Sequence, residues 1–303
     1  MRRLLVLLAV TFTALLGVHS PALANLANQP IIGDLDGDGR LDRATLGRIG
    51  IGNPTCTVSV ETRKPDGTYL APVVHSYTSP MTREPRCPNM GVAVDLKGDG
   101  ETELVTTQFD GFDGPDLLVL SRFQPIARYD GLSMPSAIET VDFNGDGLGD
   151  IWQSTDQQRT AHALLSTAQG AIVPGPFSVC SQKAVPQHYF VDFNGDGGQD
   201  MLVSRRCDSA GEGPRAEVHF GNGAPKAVLA TSPAPYTTNL EVFPIDVDSD
   251  GIPDAGVIER RSGGVNVLRH FRNDGAGAFT EVPALTALAL PAPYRIPAGT
   301  THR

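Results

Sequence analysis

A nine-residue pattern, D-x-[DN]-x-D-G-x-x-D, recurs along this 303-residue chain and constrains its fold more than any other feature. The clearest copy runs from Asp142 through Asn144, Asp146 and Gly147 to Asp150. Its relatives begin at Asp34, Asp95, Asp192 and Asp246, so the intervals are 61, 47, 50 and 54 residues. Side-chain oxygens at positions 1, 3, 5 and 9 converge on one point if the backbone wraps around it. Glycine at position 6 permits the sharp turn, and position 7 can offer its carbonyl. One such match is weak evidence, whereas five at near-regular spacing are strong.

An all-oxygen set of this kind suits a hard cation that takes 6–8 ligands, which points to Ca²⁺. The expected ligands of the first loop are Asp34, Asp36, Asp38 and Asp42, with the carbonyl of Arg40. The third repeat supplies Asp142, Asn144, Asp146 and Asp150, with the carbonyl of Leu148. The fourth supplies Asp192, Asn194, Asp196 and Asp200, with that of Gly198. The fifth supplies Asp246, Asp248, Asp250 and Asp254, with that of Ile252. The second repeat departs from the pattern, because Lys97 stands at position 3 and Glu103 closes the loop. An ammonium among carboxylates replaces a cation electrostatically. About four ions are therefore expected, not five.

These are not EF-hands, which need Glu at position 12 and a helix on each side. Position 12 here is Thr45, Thr106, Gln153, Val203 or Val257. Short Val-, Ile-, Phe- and Thr-rich runs flank the loops and read as strands, so each loop tips a β-hairpin. A second turn signal lies 27–35 residues after each first Asp: Asp66-Gly67, Asp130-Gly131, Gln169-Gly170, Asn222-Gly223 and Asp274-Gly275. Each unit then reads as strand, acidic loop, strand, loop, strand, glycine turn, strand. Four antiparallel strands per ~50 residues make a propeller blade. The expected fold is all-β: a propeller of five four-stranded blades with calcium loops at the strand 1–2 hairpins.

The loops, the apolar strand after each, and glycine turns such as Asn273 to Phe279 resemble FG-GAP/VCBS repeats, the calcium-binding blades of integrin-α-like propellers. The resemblance covers residues ~30–280. It implies calcium loops on one face of the propeller. It implies no substrate, since the family serves adhesion, enzyme appendages and other roles.

Composition agrees with this layout. Gly (33) and Pro (24) are frequent, as an all-β chain with many turns requires. The net charge of −10 excludes a basic nucleic-acid-binding face, and seventeen of the 34 acidic residues stand at ligand positions of the five loops. Residues 1–24 read as a secretory leader, with Arg2 and Arg3, an apolar run over 4–18, and an A-x-A site at Ala22 to Ala24. Residues 25–290 form the propeller and 291–303 a Pro/Ala-rich tail. No later run is long enough to span a bilayer. The leader looks bacterial, so a secreted or periplasmic location is expected, where millimolar calcium makes weak loops useful.

Four cysteines in an exported chain imply disulfides. Three pairings are possible. Closeness in sequence favours Cys56–Cys87 and Cys180–Cys207.

Catalytic motifs are nearly absent. His75, His162, His188, His219, His270 and His302 are scattered, with no H-E-x-x-H pair, and no G-x-S-x-G elbow occurs. The sole tryptophan, Trp152, is expected at a packed inter-blade position. The expected role is a monomeric binding or adhesion module for an extracellular glycan or protein, without catalysis. An exported enzyme acting on polysaccharide at the propeller mouth is the alternative. The uneven strand 2–3 loops, residues 109–116, 154–160, 205–215 and 259–264, are read either as a ligand-binding side or as solvated turns.

Overall fold

The computed structural model describes residues 26–50, 55–78, 87–108, 116–131, 135–155, 160–180, 187–207, 213–232, 238–261 and 266–283. The leader, the tail and most of each strand 2–3 loop lie outside the described residues. Among those described, every regular element is a strand, and no helix is long and apolar enough to cross a membrane.

Twenty strands form five antiparallel sheets, each of four strands in sequence order. The first sheet holds β1 (Ile31–Gly33), β2 (Asp42–Ile49), β3 (Thr55–Glu61) and β4 (Val73–Thr78). The second holds β5 (Met90–Val94), β6 (Glu103–Thr107), β7 (Asp116–Ser121) and β8 (Gln124–Asp130). The third holds β9 (Pro135–Val141), β10 (Asp150–Thr155), β11 (Thr160–Ser166) and β12 (Ile172–Cys180). The fourth holds β13 (Gln187–Val191), β14 (Asp200–Arg205), β15 (Arg215–His219) and β16 (Ala227–Thr231). The fifth holds β17 (Thr238–Ile245), β18 (Asp254–Arg261), β19 (Val267–Asn273) and β20 (Phe279–Val282). These are the five blades of a β-propeller, one per sequence repeat. The first strands of successive blades lie side by side, β1 by β5, β5 by β9 and β13 by β17.

Both faces of blades 2, 3 and 4 are apolar because each is sandwiched between two others. Side chains alternate across a strand, so adjacent residues serve opposite neighbours. The residue after the loop's closing acid points to the preceding blade: Leu104, Ile151, Met201 and Ala255 join the cores on that side. The next residue points to the following blade: Ala44, Val105, Trp152, Leu202. Four apolar clusters result, one at each seam from blade 1 to blade 5. Trp152 is fully buried at the third seam with Phe143, Phe177 and Phe190 around it, the packed inter-blade position expected for it. Burying one Leu, Ile or Val contributes about 1.5–3 kcal/mol.

By the same alternation Arg43 and Thr45 of blade 1, and Gly256 and Ile258 of blade 5, point away from these four seams. Among the described residues no apolar cluster joins blade 5 to blade 1, and Arg43 lies over the Tyr69 ring at 4.2 Å.

Two disulfides are present, Cys56–Cys87 and Cys180–Cys207, with Cα separations of 5.2 and 5.6 Å. One turn departs from the expected placing. Asp130 ends β8 and Gly131 follows it, so that pair is not the strand 3–4 turn of blade 2. The turn is Arg122-Phe123, with φ of 47° and 63°. A two-residue hairpin turn of this hand needs positive φ at both positions, which Asn-Gly normally supplies. Contacts override that preference here: Arg122 bonds Glu101, and Phe123 stacks on His75 with ring centroids 4.4 Å apart.

Candidate metal centres

Each acidic loop connects the first and second strands of its blade, and all five share one construction. Position 1 gathers main-chain donors. Asp142 Oδ1 accepts from Gly145 N at 2.7 Å and Oδ2 from Gly147 N at 2.9 Å. Asp34, Asp95, Asp192 and Asp246 repeat this. Position 5 accepts from the N–H of position 7, as in Leu148 N to Asp146 Oδ1 at 2.9 Å. That bond closes the turn between positions 5 and 7 in each of the four loops whose expected carbonyl ligands are Arg40, Leu148, Gly198 and Ile252. Position 4 also takes a left-handed conformation, which the pattern did not flag. It is glycine in four loops and Ser249, at φ 63°, in the fifth.

Two loops bring carboxylates together most closely. Asp34, Asp36 and Asp42 each offer an oxygen within 4.8 Å of the others, and so do Asp246, Asp248 and Asp250. In the first, burial and then the charges of Asp42 and Asp38 push the Asp36 carboxyl above its ordinary value. Loops 3 and 4 carry Asn144 and Asn194 at position 3, whose amides donate to Asp146 and Asp196 at 3.0 Å. The donor sets are all oxygen and carry several negative charges, and they fit Ca²⁺.

The closing acid does something further. In loop 3, Asp150 is fully buried; its Oδ2 accepts from Phe143 N at 2.9 Å and its Oδ1 from Ser166 N at 2.7 Å. Asp42 holds Leu35 and Arg63, Asp200 holds Phe193 and Gly221, and Asp254 holds Val247 and Asn273 in the same way. This residue clamps the loop to the far end of strand 3. Burial, opposed by these bonds, raises the Asp150 and Asp200 carboxyls to about 6. Sequence spacing marked these residues as ligands only. The signal for the clamp was their place at a strand's first residue, entering the core.

Repeat 2 replaces this arrangement. Lys97 Nζ lies 2.6 Å from Glu103 Oε1, and the Glu103 side chain is fully buried. Glu103 Oε2 accepts from Leu96 N at 3.2 Å. The bond to strand 3 becomes an ion pair, Arg122 to Glu101 at 2.6 Å. The ammonium occupies the place of a ligand and brings its own charge.

The loops are also tied to one another. Gly149 N donates to Asp95 O at 3.3 Å, and Gln199 N to Asp142 O at 2.7 Å. Position 8 of one repeat thus reaches position 1 of the repeat before. A Cβ on Gly198 would meet Phe143 O at 2.3 Å, so glycine is required there by close approach.

Two His–Glu pairs that no motif revealed lie at the third seam and in blade 4. His188 Nε2 is 2.9 Å from Glu139 Oε1, with side chains 7% and 2% exposed. His219 Nε2 is 3.0 Å from Glu217 Oε2. Glu217 is also bonded by Arg205, at 2.5 Å from Nε and 2.8 Å from Nη2, and by Lys226 Nζ at 3.0 Å. The first pair joins two blades, so residue spacing could not show it; the second lies two residues apart on β15, where strand alternation puts both side chains on one face.

No family model matches the chain, and no curated protein matches it. Among solved structures it is similar to a Bacteroides uniformis protein provisionally described as a 6-phosphogluconolactonase, at 13% identity over 82% of this chain and 79% of that one, with a TM-score of 0.40. A Bacteroides fragilis protein described the same way follows, at 12% identity over 78% and 68%, with a TM-score of 0.38. AofleA of Arthrobotrys oligospora gives 12% identity over 85% and 87%, with a TM-score of 0.32. Likeness at this level carries no argument about what the chain does.

Proposed function

We propose that this chain is an exported, calcium-stabilised propeller of FG-GAP/VCBS type that binds an extracellular glycan or protein. The observation that carries the calcium reading is the fourfold recurrence of one hydrogen-bonded loop geometry, with carboxylate oxygens convergent in the first and fifth loops, beside a second repeat in which Lys97 stands in for the ion. Asp34, Asp36, Asp38 and Asp42 and their counterparts at 142–150, 192–200 and 246–254 would hold the cations. A bound Ca²⁺ neutralises the loop carboxylates and fixes the hairpin tips. Export and disulfides agree with such a site, because extracellular calcium is abundant.

Calorimetric titration of chelator-stripped protein should give four Ca²⁺ per chain. A well-occupied ion beside Lys97 in anomalous diffraction counts against this assignment. Screening the loaded protein on a glycan array, with a parallel assay for reducing-end release, separates binding from turnover. Binding without release supports the module.

One observation favours the alternative, an exported enzyme acting on polysaccharide. His188 and Glu139 sit on β13 and β9, the first strands of their blades, in a non-repeating pair. A histidine oriented by a carboxylate is a common acid–base arrangement. If reducing ends are released and His188→Ala abolishes that release, the enzyme reading replaces the binding one.

A further inference from the structure

A cleft of about 180 Å³ opens between β12 of blade 3 and the β15–β16 hairpin of blade 4. Its walls include Phe177, His219, Phe220, Gly223 and Lys226. Sites for drug-sized ligands run to roughly 300–1,000 Å³, so this one has room for a single small ring. Phe177 is half-buried and tilted 46° against the His219 ring, with centroids 5.4 Å apart. It also packs on Phe143 and Trp152, so part of its ring lines the cleft and part belongs to the seam.

The charge at the cleft is unusual for so acidic a chain. Glu217 is completely buried and takes a two-point bond from Arg205, which is itself 8% exposed. That pair is neutral by itself. Lys226 adds a second cation to the same carboxylate, with its side chain 40% exposed. Arg215 Nη1 adds a third at 3.8 Å. An ammonium carries three donors and Glu217 takes one from Lys226, which leaves donors for another acceptor in the cleft that Lys226 lines. Among the described residues Lys226 is the one Lys, Arg, Asp or Glu side chain in the cleft wall itself, although the chain carries −10. At physiological salt, charges beyond about 8 Å are largely screened, so contact-range charge decides what enters.

We propose that this cleft binds one carboxylate-bearing sugar residue, a uronate, of an extracellular polysaccharide: the carboxylate meets Lys226 and the ring lies against Phe177. The proposal rests on the glycan-binding reading and names its ligand class. The cleft also adjoins a calcium loop, since Asn222 Nδ2 of the β15–β16 turn donates to Asp196 Oδ2 at 2.7 Å. Measurements therefore belong in calcium, which neutralises the neighbouring carboxylates.

The test is calorimetric titration with oligogalacturonate and with the matching neutral galactose oligomer. Uronate binding at least tenfold tighter than neutral binding is expected, weakening as NaCl rises. Lys226→Ala and Phe177→Ala should each weaken it at least tenfold, and Lys226→Arg should keep most of it. Melting curves confirm that the variants fold; Lys226 is exposed and Glu217 keeps Arg205. Equal affinity for both oligomers overturns the uronate assignment but leaves the binding module standing. Tight uronate binding unchanged by Lys226→Ala places it at another site and overturns the cleft. No affinity for either oligomer also overturns it, and the glycan array then decides the wider reading separately.

Discussion

The two oxygens of Asp150 each take a main-chain N–H, so its removal strands two buried donors whether or not an ion is bound. Asp146, one turn earlier, is exposed and bonds only within the loop. The two variants should separate. Asp150→Ala should cost about 2–4 kcal/mol already in chelator and more in calcium, where a ligand is lost as well, whereas Asp146→Ala should cost stability in calcium and almost none in EDTA. Urea midpoints under both conditions check this; equal behaviour of the two variants would refute the clamp. Lys97 gives the complementary case. Lys97→Asp should add a binding event to the titration, weakened because Glu103 is longer than the usual Asp, and should lower stability in EDTA through the loss of the Glu103 pair. Glu217 governs acid sensitivity. Burial would raise its carboxyl, but the bonds from His219, Arg205 and Lys226 and the Arg205 charge outweigh that and hold it far below the ordinary range. Its folded value lies below its unfolded one, so its contribution is complete above about pH 5 and is lost as pH falls toward the folded value. Glu217→Gln should cost about 3–5 kcal/mol at pH 7, because Arg205 is left buried without its charge partner. The variant's stability should then fall less steeply than the wild type's from pH 5 to 3.

The strand 1–2 hairpin and the strand 3–4 hairpin of a blade act as one element, because the closing acid reaches from the first to the second. Cys180–Cys207 adds a covalent tie between the end of β12 and the residues after β14, across the third seam. Removing it with a Cys180→Ala/Cys207→Ala pair should lower stability by about 2–4 kcal/mol, read from the denaturant midpoint. The native protein should show no thiol reactive to Ellman's reagent, and any reactive cysteine would contradict both pairings. The Arg122-Phe123 turn shows why turn residues are an incomplete guide to hairpins. Local preference for glycine is worth only about 1–2 kcal/mol per left-handed residue, and an ion pair with an aromatic contact offsets it.

At the scale of the whole propeller, the loops sit on one face, linked by main-chain bonds from Gly149 to Asp95 and from Gln199 to Asp142. A ligand that binds only the folded state adds about 1.4 kcal/mol at tenfold excess over Kd, so four sites add on the order of 5 kcal/mol, comparable with the stability of a domain. EDTA should lower the melting temperature markedly, and added calcium should restore it. A melting curve unmoved by EDTA would remove calcium as a structural element of this protein.

Much of this was legible in the sequence, because a repeat prints its period in the order of residues. The spacing of Asp34, Asp95, Asp142, Asp192 and Asp246 was enough for five blades of four strands, and closeness of the cysteines was enough to favour the observed pairs. Both are local properties: a hairpin and a short covalent loop bring together residues already near in the chain. What joins distant residues could not be read that way. Packing alone turned Asp42, Asp150, Asp200 and Asp254 into clamps, and left Arg43 and Gly256 on faces outside the four apolar seams. It also assembled Glu217 with Arg205, His219 and Lys226 beside Phe177. Contacts across blades depend on which face each strand presents to its neighbour, and that is settled only when the sheets stack.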